Sequence, residues 1–432
     1  MDSLWTAISR PTFASLEQET KTDVLIIGGG MAGLLCAHKL RQAGIDCMLV
    51  EADRIGSGIT KNTTAKLTVQ HGLIYHTLIR RFGLERAQMY WQANRQALDD
   101  YRALCQDIDC DFEEKDNYVY SLTDRAALAC ETAALDKLGQ PAAFVRRLPL
   151  PFAVAGAVKV KAQAQFHPLK FAYTLAKDLP VYEHTRVREV GEDAVLTDRG
   201  RIRAQQVIVA THFPFINTHG AYFLKLYQHR SYVLALDGAG DVAGMYVDAD
   251  SKGLSFRNAG KLLLLGGGAH RTGKSGGGWR ELEQVAQRHY PRARIVGRWA
   301  TQDCMSLDGV PYIGRYAKHT PNLWVASGFN KWGMTGSMVA ASVLSDLVQD
   351  KTNPYAAVFE PSRSIWHPQL AVNAAETTLH LLKPTAPRCP HMGCALTYNK
   401  QEHSWDCPCH GSRFTHDGQL LDNPATADKQ GG

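Results

Sequence analysis

The N-terminal part of the chain alternates between apolar runs and a glycine-rich turn. Residues 24–27 form a short apolar run that ends in a glycine cluster, which predicts a buried parallel strand rather than a helix. A helical pattern over residues 34–40 stops at Gly44, and a second apolar run over residues 47–50 ends at Glu51. The pattern therefore predicts one strand-helix-strand unit.

The glycines of this unit have the spacing of a dinucleotide-binding turn. Gly28, Gly30 and Gly33 follow the pattern G-x-G-x-x-G between the strand and the helix. The first glycine allows a tight turn, the second lets the backbone approach a pyrophosphate, and the third lets helix and strand pack closely. Glu51 stands where a carboxylate can accept a hydrogen bond from a ribose hydroxyl. An acidic residue at this point favours FAD or NAD over a 2′-phosphorylated cofactor. A purely structural glycine turn is the alternative.

Periodicity along the rest of the chain predicts that this unit belongs to a discontinuous domain. Apolar runs over residues 207–210 and 323–326 predict further buried strands, and a helix follows over residues 338–347. Strand-like runs between residues 222 and 299, with one helix, predict an antiparallel sheet of a substrate domain. We assign about residues 20–80, 160–216 and 305–350 to the cofactor domain and about residues 81–159 and 217–304 to the substrate domain, within one unit of residues 1–365.

Polar and glycine-rich loops at the ends of these strands are candidates for cofactor contacts. The loop after Glu51 offers hydrogen-bond donors from Thr60, Asn62, Thr63, Thr64 and Lys66. Two later strands end in loops whose backbone N–H groups can face a flavin or its phosphates. A capped surface loop is the alternative for any single residue. We expect cofactor contacts from Thr64, Ala210, Thr211, Gly328, Gly333, Met334 and Thr335.

The loop GGGAHR, residues 266–271, resembles a second dinucleotide motif. Its spacing is G-x-G-x-x-R, and a polar glycine loop follows it instead of an apolar helix. We therefore expect no second nucleotide site there. The glycines are expected to bring His270 and Arg271 near the flavin and the substrate.

The C-terminal end of the chain holds four of the ten cysteines. Cys389 and His391 form C-x-H, and Cys407 and His410 form C-x-x-H. Two thiolates and two imidazoles on two loops match the ligands of a Rieske [2Fe–2S] cluster. A zinc ribbon uses the same residue types, but it normally pairs cysteines as C-x-x-C twice.

Residues beside these ligands bear on the reduction potential of the cluster. Ser412 is placed to hydrogen-bond a cluster sulfur, whereas Phe414 stands where respiratory Rieske proteins usually carry a tyrosine. With one hydrogen bond missing, we expect an intermediate potential within the Rieske range of about −150 to +300 mV. His403 and His416 lie off the ligand spacing and are expected at the surface.

Composition and charge exclude several classes of function. The formal net charge is +6, but the basic residues are scattered, and the alternation of Arg199, Arg201 and Arg203 is typical of the solvated face of a strand. We therefore expect no nucleic acid. No apolar run approaches the roughly 20 residues of a membrane helix, and the first residues lack the apolar core of a signal peptide. The expectation is a cytoplasmic protein without membrane insertion.

Taken together, the motifs resemble flavoproteins of the D-amino-acid oxidase and glycine oxidase class over about residues 20–350, followed by a Rieske domain. The resemblance is carried by DVLIIGGGMAGLLCAHKL, VIVATHFPF, QDCMSLDGVPYIG and ASGFNKWGMTGS. A bacterial subgroup with the same fusion is similar across nearly the whole chain. The resemblance implies an α/β fold, with a Rossmann-like FAD-binding domain, an interleaved α+β substrate domain and a small all-β Rieske domain over residues 366–432.

The resemblance also implies cofactors and an activity. The cofactors are FAD and a Rieske [2Fe–2S] cluster, and the reaction is hydride transfer to the flavin from a C–N bond of an amine or amino acid. The catalytic candidates are His270, Arg271, Lys331 and Trp332, each equally explicable as a loop or packing residue. In one branch of Rieske proteins, cysteines at the positions of Cys394 and Cys409 form a disulfide between the two ligand loops.

The route of the electrons stays open at this point. A flavin can split a two-electron reduction into single steps, so the first hypothesis is a dehydrogenase that passes electrons through the cluster to a redox partner protein or quinone. The alternatives are a redox-sensing or structural Rieske module, and flow from an external reductase into the flavin. A Rieske oxygenase would need two histidines and a carboxylate on a mononuclear iron, and His71 and His76 have no acid just upstream.

Overall fold

The computed structural model of the protein describes residues 2–250, 253–384 and 386–429. The described strands are arranged in sheets of eight, nine and four strands. In chain order the strands are β1 (Thr20–Ile27), β2 (Cys47–Val50), β3 (Lys66–Leu67), β4 (Glu113–Ser121), β5 (Ala143–Val145), β6 (Gly156–Gln165), β7 (Val181–Tyr182), β8 (Val187–Val190), β9 (Val195–Thr197), β10 (Arg201–Val209), β11 (Leu226–Asp237), β12 (Met245–Asp248), β13 (Ser255–Ala259), β14 (Leu262–Arg271), β15 (Arg294–Ser306), β16 (Tyr312–Arg315), β17 (Leu323–Ser327), β18 (Thr397–Asn399), β19 (Ser404–Asp406), β20 (Arg413–Thr415) and β21 (Leu420–Asp422).

Helices connect the strands and cover the sheets. The longest of those described, α2, is interrupted at Gly83, whose φ of 83° lies outside the helical region. No helix in the described part of the chain is both long enough and apolar enough to cross a bilayer. The helices are α1 (Met31–Gln42), α2 (Ile74–Asp107), α3 (Arg125–Lys137), α4 (Pro168–Ala176), α5 (Tyr222–Lys225), α6 (Trp279–His289), α7 (Gly333–Val348), α8 (Ala356–Phe359) and α9 (Pro368–Leu382), with short 3₁₀ turns at Leu4–Thr6 and Ile59–Asn62.

The eight-stranded sheet contains the predicted cofactor-binding unit. Its main path runs β16-β17-β10-β1-β2-β7, and every pair from β17 to β7 is parallel. Val24 and Ile26 of β1 pack in the same core as helices α1 and α7, whereas Leu25 and Ile27 pack on the other face. A parallel strand buried on both faces reads as a continuous apolar run, which is why residues 24–27 could be recognised from the sequence.

The nine-stranded sheet contains the strands predicted for the substrate domain. Its path runs β15-β11-β14-β13-β12-β4-β6-β3, with β5 paired to β6, and it is antiparallel except between β12 and β4. Helix α6 packs on this sheet and buries Trp279 and Leu282. The predicted strands of this region and its one helix are confirmed.

The C-terminal region contains a small antiparallel sheet, β18-β19-β20-β21, as predicted. Helix α9 precedes it, and a helix was not expected within residues 366–432. The His367 side chain caps this helix by accepting from the Gln369 backbone N–H, and Pro368 occupies its first turn. Proline is pre-organised for that position, so the pair His367-Pro368 was the missed signal.

Candidate functional site

A cavity of about 750 Å³ opens at the carboxyl ends of the parallel strands. Its walls come from the loops after β1, β2 and β10, from β11, β14 and β15, from the start of α7, and from the segment between residues 420 and 426. Ligands of open α/β sheets bind at this edge. Both large sheets and the C-terminal region therefore share one cavity.

Backbone carbonyl groups lie very close to two glycines of the glycine turn. Gly28 has a φ of +112°, and a Cβ there would lie 2.7 Å from the Ala210 carbonyl oxygen. A Cβ on Gly33 would lie 1.9 Å from the Gly28 carbonyl oxygen. Gly30 caps helix α1 on the cavity wall, where the nearest atom to an added Cβ is Thr60 Oγ1, at 3.5 Å. The tight turn and the close helix packing are thus as predicted, and the open side of the turn faces the cavity.

The Glu51 carboxylate lies on the cavity wall between two backbone donors. It accepts from the N–H groups of Gly29 at 2.7 Å and Asp53 at 2.8 Å. Burial raises the pKa of Glu51, and these two hydrogen bonds oppose the shift. This position is compatible with the predicted contact to a ribose hydroxyl.

Lys66 brings an amine into the same cavity. Its Nζ donates to Thr64 Oγ1 at 3.3 Å. Burial, reinforced by the positive charge of Arg257, lowers the pKa of Lys66 to about 7. Arg257 donates to the carbonyls of Thr64 and Ala65 at 2.8 and 2.9 Å and so holds the polar loop in place. The cavity therefore holds a lysine whose charged form is destabilised.

Most of the predicted cofactor residues line the cavity, and three do not. Gly33 serves the helix packing described above. Gly328 turns the chain with a φ of +72° beside Leu226, and Thr335 Oγ1 lies 3.0 Å from His71 Nε2. The predicted residues on the wall are Gly28, Gly30, Glu51, Thr64, Ala210, Thr211, Gly333 and Met334.

Two of the four catalytic candidates also line the cavity. Lys331 is an exposed residue of this wall, yet desolvation by the surrounding protein lowers its pKa, and the charge of Asp303 opposes that shift. The Trp332 ring stacks on His71, with the ring centroids 4.9 Å apart. Both side chains are therefore placed where a substrate could contact them.

His270 and Arg271 do not lie where the sequence analysis expected them. Neither is on the cavity wall. The Arg271 guanidinium donates to the carbonyls of Pro408 and Cys409 at 3.1 and 3.3 Å, and the His270 ring stacks on Tyr232 at 5.6 Å. The end of β14 turns these side chains toward the C-terminal region, because that region covers this part of the sheet.

Several polar residues of the substrate sheet on the wall were missed, among them His229, Thr301 and Asp303. Burial raises the pKa of Asp303 in β15 and lowers that of His229 in β11 to about 3. Among the described residues, His229 Nδ1 and Thr301 Oγ1 have no hydrogen-bond partner. No motif marks these positions, and the only signal was polar residues inside long strands. Buried polar atoms are normally paired, so these orphaned atoms, the open glycine turn and the Glu51 carboxylate fit a polar cofactor such as FAD with its substrate.

The four predicted cluster ligands converge beside the C-terminal sheet. The Nδ1 atoms of His391 and His410 lie 3.3 Å apart. Cys407 lies close to Cys389, Cys394, Cys409 and His410, and these contacts, the one with Cys389 first, hold the pKa of Cys407 well below its usual value. Two sulfurs and two imidazole nitrogens at one point fit a [2Fe–2S] cluster with mixed ligands.

The two remaining C-terminal cysteines lie beside these ligands. The sulfur atoms of Cys394, Cys407 and Cys409 all lie within 4.8 Å of one another. Cys394 and Cys409 are thiols in this structure, so their disulfide stays a prediction.

The residues around the ligands follow the sequence analysis. The contact with Cys407 and burial raise the pKa of Cys389, and Ser412 beside it opposes that shift. Phe414 is fully buried, and His403 and His416 are exposed. The intermediate potential stays a prediction.

Phe213 connects the cluster ligands to the cavity wall. Its ring contacts those of His391 and His410, with centroids 6.5 and 6.2 Å apart. Asn423 Nδ2 donates to the carbonyls of Thr211 and Phe213 at 2.5 and 2.8 Å. Because Thr211 lines the cavity, the loop after β10 touches both sites.

Comparison with known proteins identifies the two parts of the chain. The sequence profile of FAD dependent oxidoreductases matches residues 23–347. The chain belongs to this family. The profile of the Rieske [2Fe-2S] domain matches residues 362–430. The protein is thus an oxidoreductase that binds FAD and a [2Fe–2S] cluster.

One relative is similar to this chain over nearly its whole length, and another over about half of it. The chain is 35% identical to YhfW of Bacillus subtilis, described as a Rieske 2Fe-2S iron-sulfur protein, over 98% of this chain and 96% of YhfW. It is 26% identical to gamma-glutamylputrescine oxidoreductase of Escherichia coli over 46% of this chain and 50% of that one.

Solved structures share the fold of the larger part. L-proline dehydrogenase from P. horikoshii has a TM-score of 0.68 at 17% identity, covering 80% of this chain and 98% of that one. Glycine oxidase from Geobacillus kaustophilus has a TM-score of 0.65 at 21% identity, covering 80% and 99%.

Proposed function

We propose that this FAD-dependent oxidoreductase is a dehydrogenase that oxidises a C–N bond of an amine or amino acid and passes the electrons through its Rieske cluster to an external acceptor. The observation that carries the proposal is the contact of Phe213 with both His391 and His410, two residues after the cavity-lining Thr211. This arrangement supports electron transfer over a short path inside one chain.

In the proposed reaction, the substrate C–N bond becomes C=N through loss of a hydride to the flavin and of a proton to a base in the cavity. FAD accepts two electrons and can release them singly, whereas the cluster carries one at a time. Two successive single-electron transfers to a redox protein or quinone therefore balance each oxidised substrate molecule.

Lys66 is the proposed base. An amine can give up a hydride only after its nitrogen has lost the extra proton of the ammonium form. The pKa of Lys66, lowered by burial to about 7, is matched to accepting that proton near neutral pH. The Asp303 carboxylate, on the wall of the same cavity, is proposed to attract the positively charged nitrogen before deprotonation, and Lys331 and Trp332 are proposed to position the substrate.

The proposed cofactor contacts follow from the same geometry. Glu51 would hold the ribose, and the N-terminus of α1 would face the pyrophosphate. The proposed FAD-binding residues on the cavity wall are Gly28, Gly30, Glu51, Thr64, Ala210, Thr211, Gly333 and Met334, whereas Gly33, Gly328 and Thr335 are proposed to shape the backbone and packing behind that wall. The proposed cluster ligands are Cys389, His391, Cys407 and His410.

The names of related proteins support the substrate class. One relative is an oxidoreductase of gamma-glutamylputrescine, and two proteins of the same fold are a dehydrogenase of L-proline and an oxidase of glycine. All three names refer to compounds with a C–N bond.

An anaerobic titration with amines and amino acids tests the proposal. The iron-replete protein is followed by flavin absorbance and by the EPR signal of the reduced cluster in the same samples. We expect one substrate to bleach the flavin, after which the cluster signal appears. A bleached flavin beside a cluster that stays oxidised would contradict the electron relay, and a flavin that no amine or amino acid bleaches would contradict the substrate class.

A further inference from the structure

At β11 and β15 one face of the substrate sheet lines the cavity and the other contacts the C-terminal domain, whose residues 420–426 line the cavity as well. In β11, His229 lines the cavity, whereas Gln228 and Arg230 contact the C-terminal domain. In β15, Asp303 lines the cavity and Gln302 contacts the C-terminal domain. Neighbouring residues of a strand point to opposite faces. One layer of backbone therefore separates the substrate side from the cluster side.

Three side chains of this sheet hold four consecutive carbonyl groups of the cluster loop, residues 408–411. The Arg271 guanidinium donates to the first two carbonyls at 3.1 and 3.3 Å. The Gln228 amide donates to the third and the Gln302 amide to the fourth, both at 2.9 Å. The third of these carbonyls belongs to the proposed cluster ligand His410. The loop is therefore held through its backbone and not only through its ligands.

The contact between the loop and the sheet leaves no spare volume. Gln228 is 1% exposed and Gln302 is 0% exposed. A Cβ added to Gly411 would lie 2.6 Å from Gln228 Cβ, and a Cβ added to Gly273 would lie 2.6 Å from the Pro408 nitrogen. Side chains this buried cannot exchange their loop carbonyls for water without separating the two surfaces.

A buried ion-pair network anchors the same contact. Arg230 pairs with Glu402, and their side chains are only 4% and 9% exposed. Arg413 forms ion pairs with Glu402 at 2.8 Å and with Asp422 at 2.9 Å. Separation of the domains would leave Arg230 without its carboxylate partner, and an unpaired charge at such a surface is costly.

We propose that Gln228, Arg271 and Gln302 are positioning residues for the Rieske cluster. They hold residues 408–411 on the back of the substrate sheet, so electrons pass between flavin and cluster in the resting arrangement of the domains. Each transfer would move one electron from the reduced flavin to one ferric ion of the cluster, and the one proton that a hydride-reduced flavin loses over both transfers would go to solvent. The second electron follows once the cluster has reduced the external acceptor. This inference rests on the proposed electron relay.

The test replaces the two amides by methionine, which keeps the side-chain length and removes the donor. The variants are Gln228→Met, Gln302→Met and the double variant. The flavin is reduced anaerobically by light with an added electron donor, so no substrate is needed, and flavin absorbance and cluster EPR are followed in time. We expect cluster reduction in the double variant to be roughly tenfold slower, since two buried hydrogen bonds are lost. We also expect a changed EPR line shape in dithionite-reduced samples.

Lys274→Met is the matched control. It removes a partly exposed ion pair with Glu376 at 2.6 Å between the same two regions, while the side chains that donate to the carbonyls of residues 408–411 stay in place. Wild-type rates and line shape are expected for it. If the double variant does not bind iron, the rate of cluster reduction and the EPR line shape are measured for Gln302→Met alone.

Two outcomes separate this inference from the proposed function. Wild-type kinetics and line shape in a folded amide variant with full flavin and iron content would overturn the positioning role. A cluster that the reduced flavin never reduces, even in the wild-type chain, would overturn the relay. The EPR line shape of dithionite-reduced variants tests whether Gln228 and Gln302 position the cluster loop, whether or not the flavin reduces the cluster.

Discussion

The cluster site and the substrate cavity are built in opposite ways. The proposed cluster ligands all come from two neighbouring loops of the C-terminal region, over residues 389–410. The polar residues of the cavity, Lys66, His229, Asp303 and Lys331, come from four segments that are far apart in the chain. A metal cluster requires a fixed ligand geometry, and two neighbouring loops can provide all of its ligands. The wall of a substrate cavity is instead formed by residues of several strands and loops that meet only in the folded protein. The first kind of site is visible as a motif and the second is not.

Loss of one cluster ligand should produce the largest effect and the cleanest separation of the two sites. We expect Cys407→Ala to abolish cluster assembly, because it removes one of the two proposed thiolate ligands of the cluster. Iron analysis and EPR measure the loss, and flavin absorbance should show FAD content equal to that of the wild type. If the variant also lost FAD, the two sites would depend on one another, and the contrast between two separately built sites would be wrong.

Removal of the proposed base should affect only the cavity. We expect Lys66→Met to slow flavin reduction by substrate at least about a hundredfold. In the wild type the rate should rise as pH increases through about 7, because Lys66 must lose its proton before it can accept one from the substrate. Stopped-flow absorbance over a pH series measures both effects.

Lys61→Met is the control for this variant, since Lys61 belongs to the same loop but pairs with Asp2 at the surface. An unchanged pH profile in Lys66→Met would show that another group accepts the proton.

An added methyl group at the cofactor turn should have a smaller effect. A Cβ on Gly33 would lie 1.9 Å from the Gly28 carbonyl oxygen. We expect Gly33→Ala to cost about 2 kcal/mol, or roughly thirtyfold in FAD affinity, because backbone must move to admit it. Fluorescence titration of the apoprotein with FAD measures the change.

Gly44→Ala has a positive φ of 75° but no neighbour within 4 Å, so it should change stability and leave FAD affinity unaltered. Equal losses of affinity in the two variants would indicate that close packing is not the cause.

The smallest expected effect concerns substrate recognition. Asp303→Asn keeps the shape of the side chain and removes its charge, so we expect an amine substrate to bind about tenfold more weakly while flavin reduction at saturation changes less. The concentration dependence of flavin reduction separates binding from chemistry. Asp237→Asn, at the surface end of β11 where the carboxylate pairs with Arg294, should have no effect. A loss confined to the saturated rate would assign Asp303 to catalysis instead.

Helix α9 shows one limit of sequence patterns in this chain. Its polar residue Asn373 is buried, whereas Val372, Leu379 and Leu382 are exposed. An amphipathic pattern predicts that apolar residues face the core, so the pattern here is reversed. The local signal for a helix was present in His367-Pro368, but periodicity could not place its faces.

The two neighbouring residues His270 and Arg271 show another limit. The glycines before them correctly suggested a close approach, since Gly266 and Gly267 line the cavity. Arg271 instead binds the carbonyls of Pro408 and Cys409. Nothing in the local sequence indicates that a distant domain covers this end of the strand.

By itself the sequence determined the turn that binds a dinucleotide, the apolar runs of the parallel sheet and the cysteine and histidine pattern of the cluster. Each of these depends on residues close together in the chain, where backbone geometry and ligand spacing leave few choices. Only the tertiary structure decided that Asp303 and His229 face the cavity while Gln302 and Gln228 face the cluster loop. A shift of one residue in strand register exchanges the two faces of a sheet. That register is set by pairing with distant strands and by the domain that packs behind them.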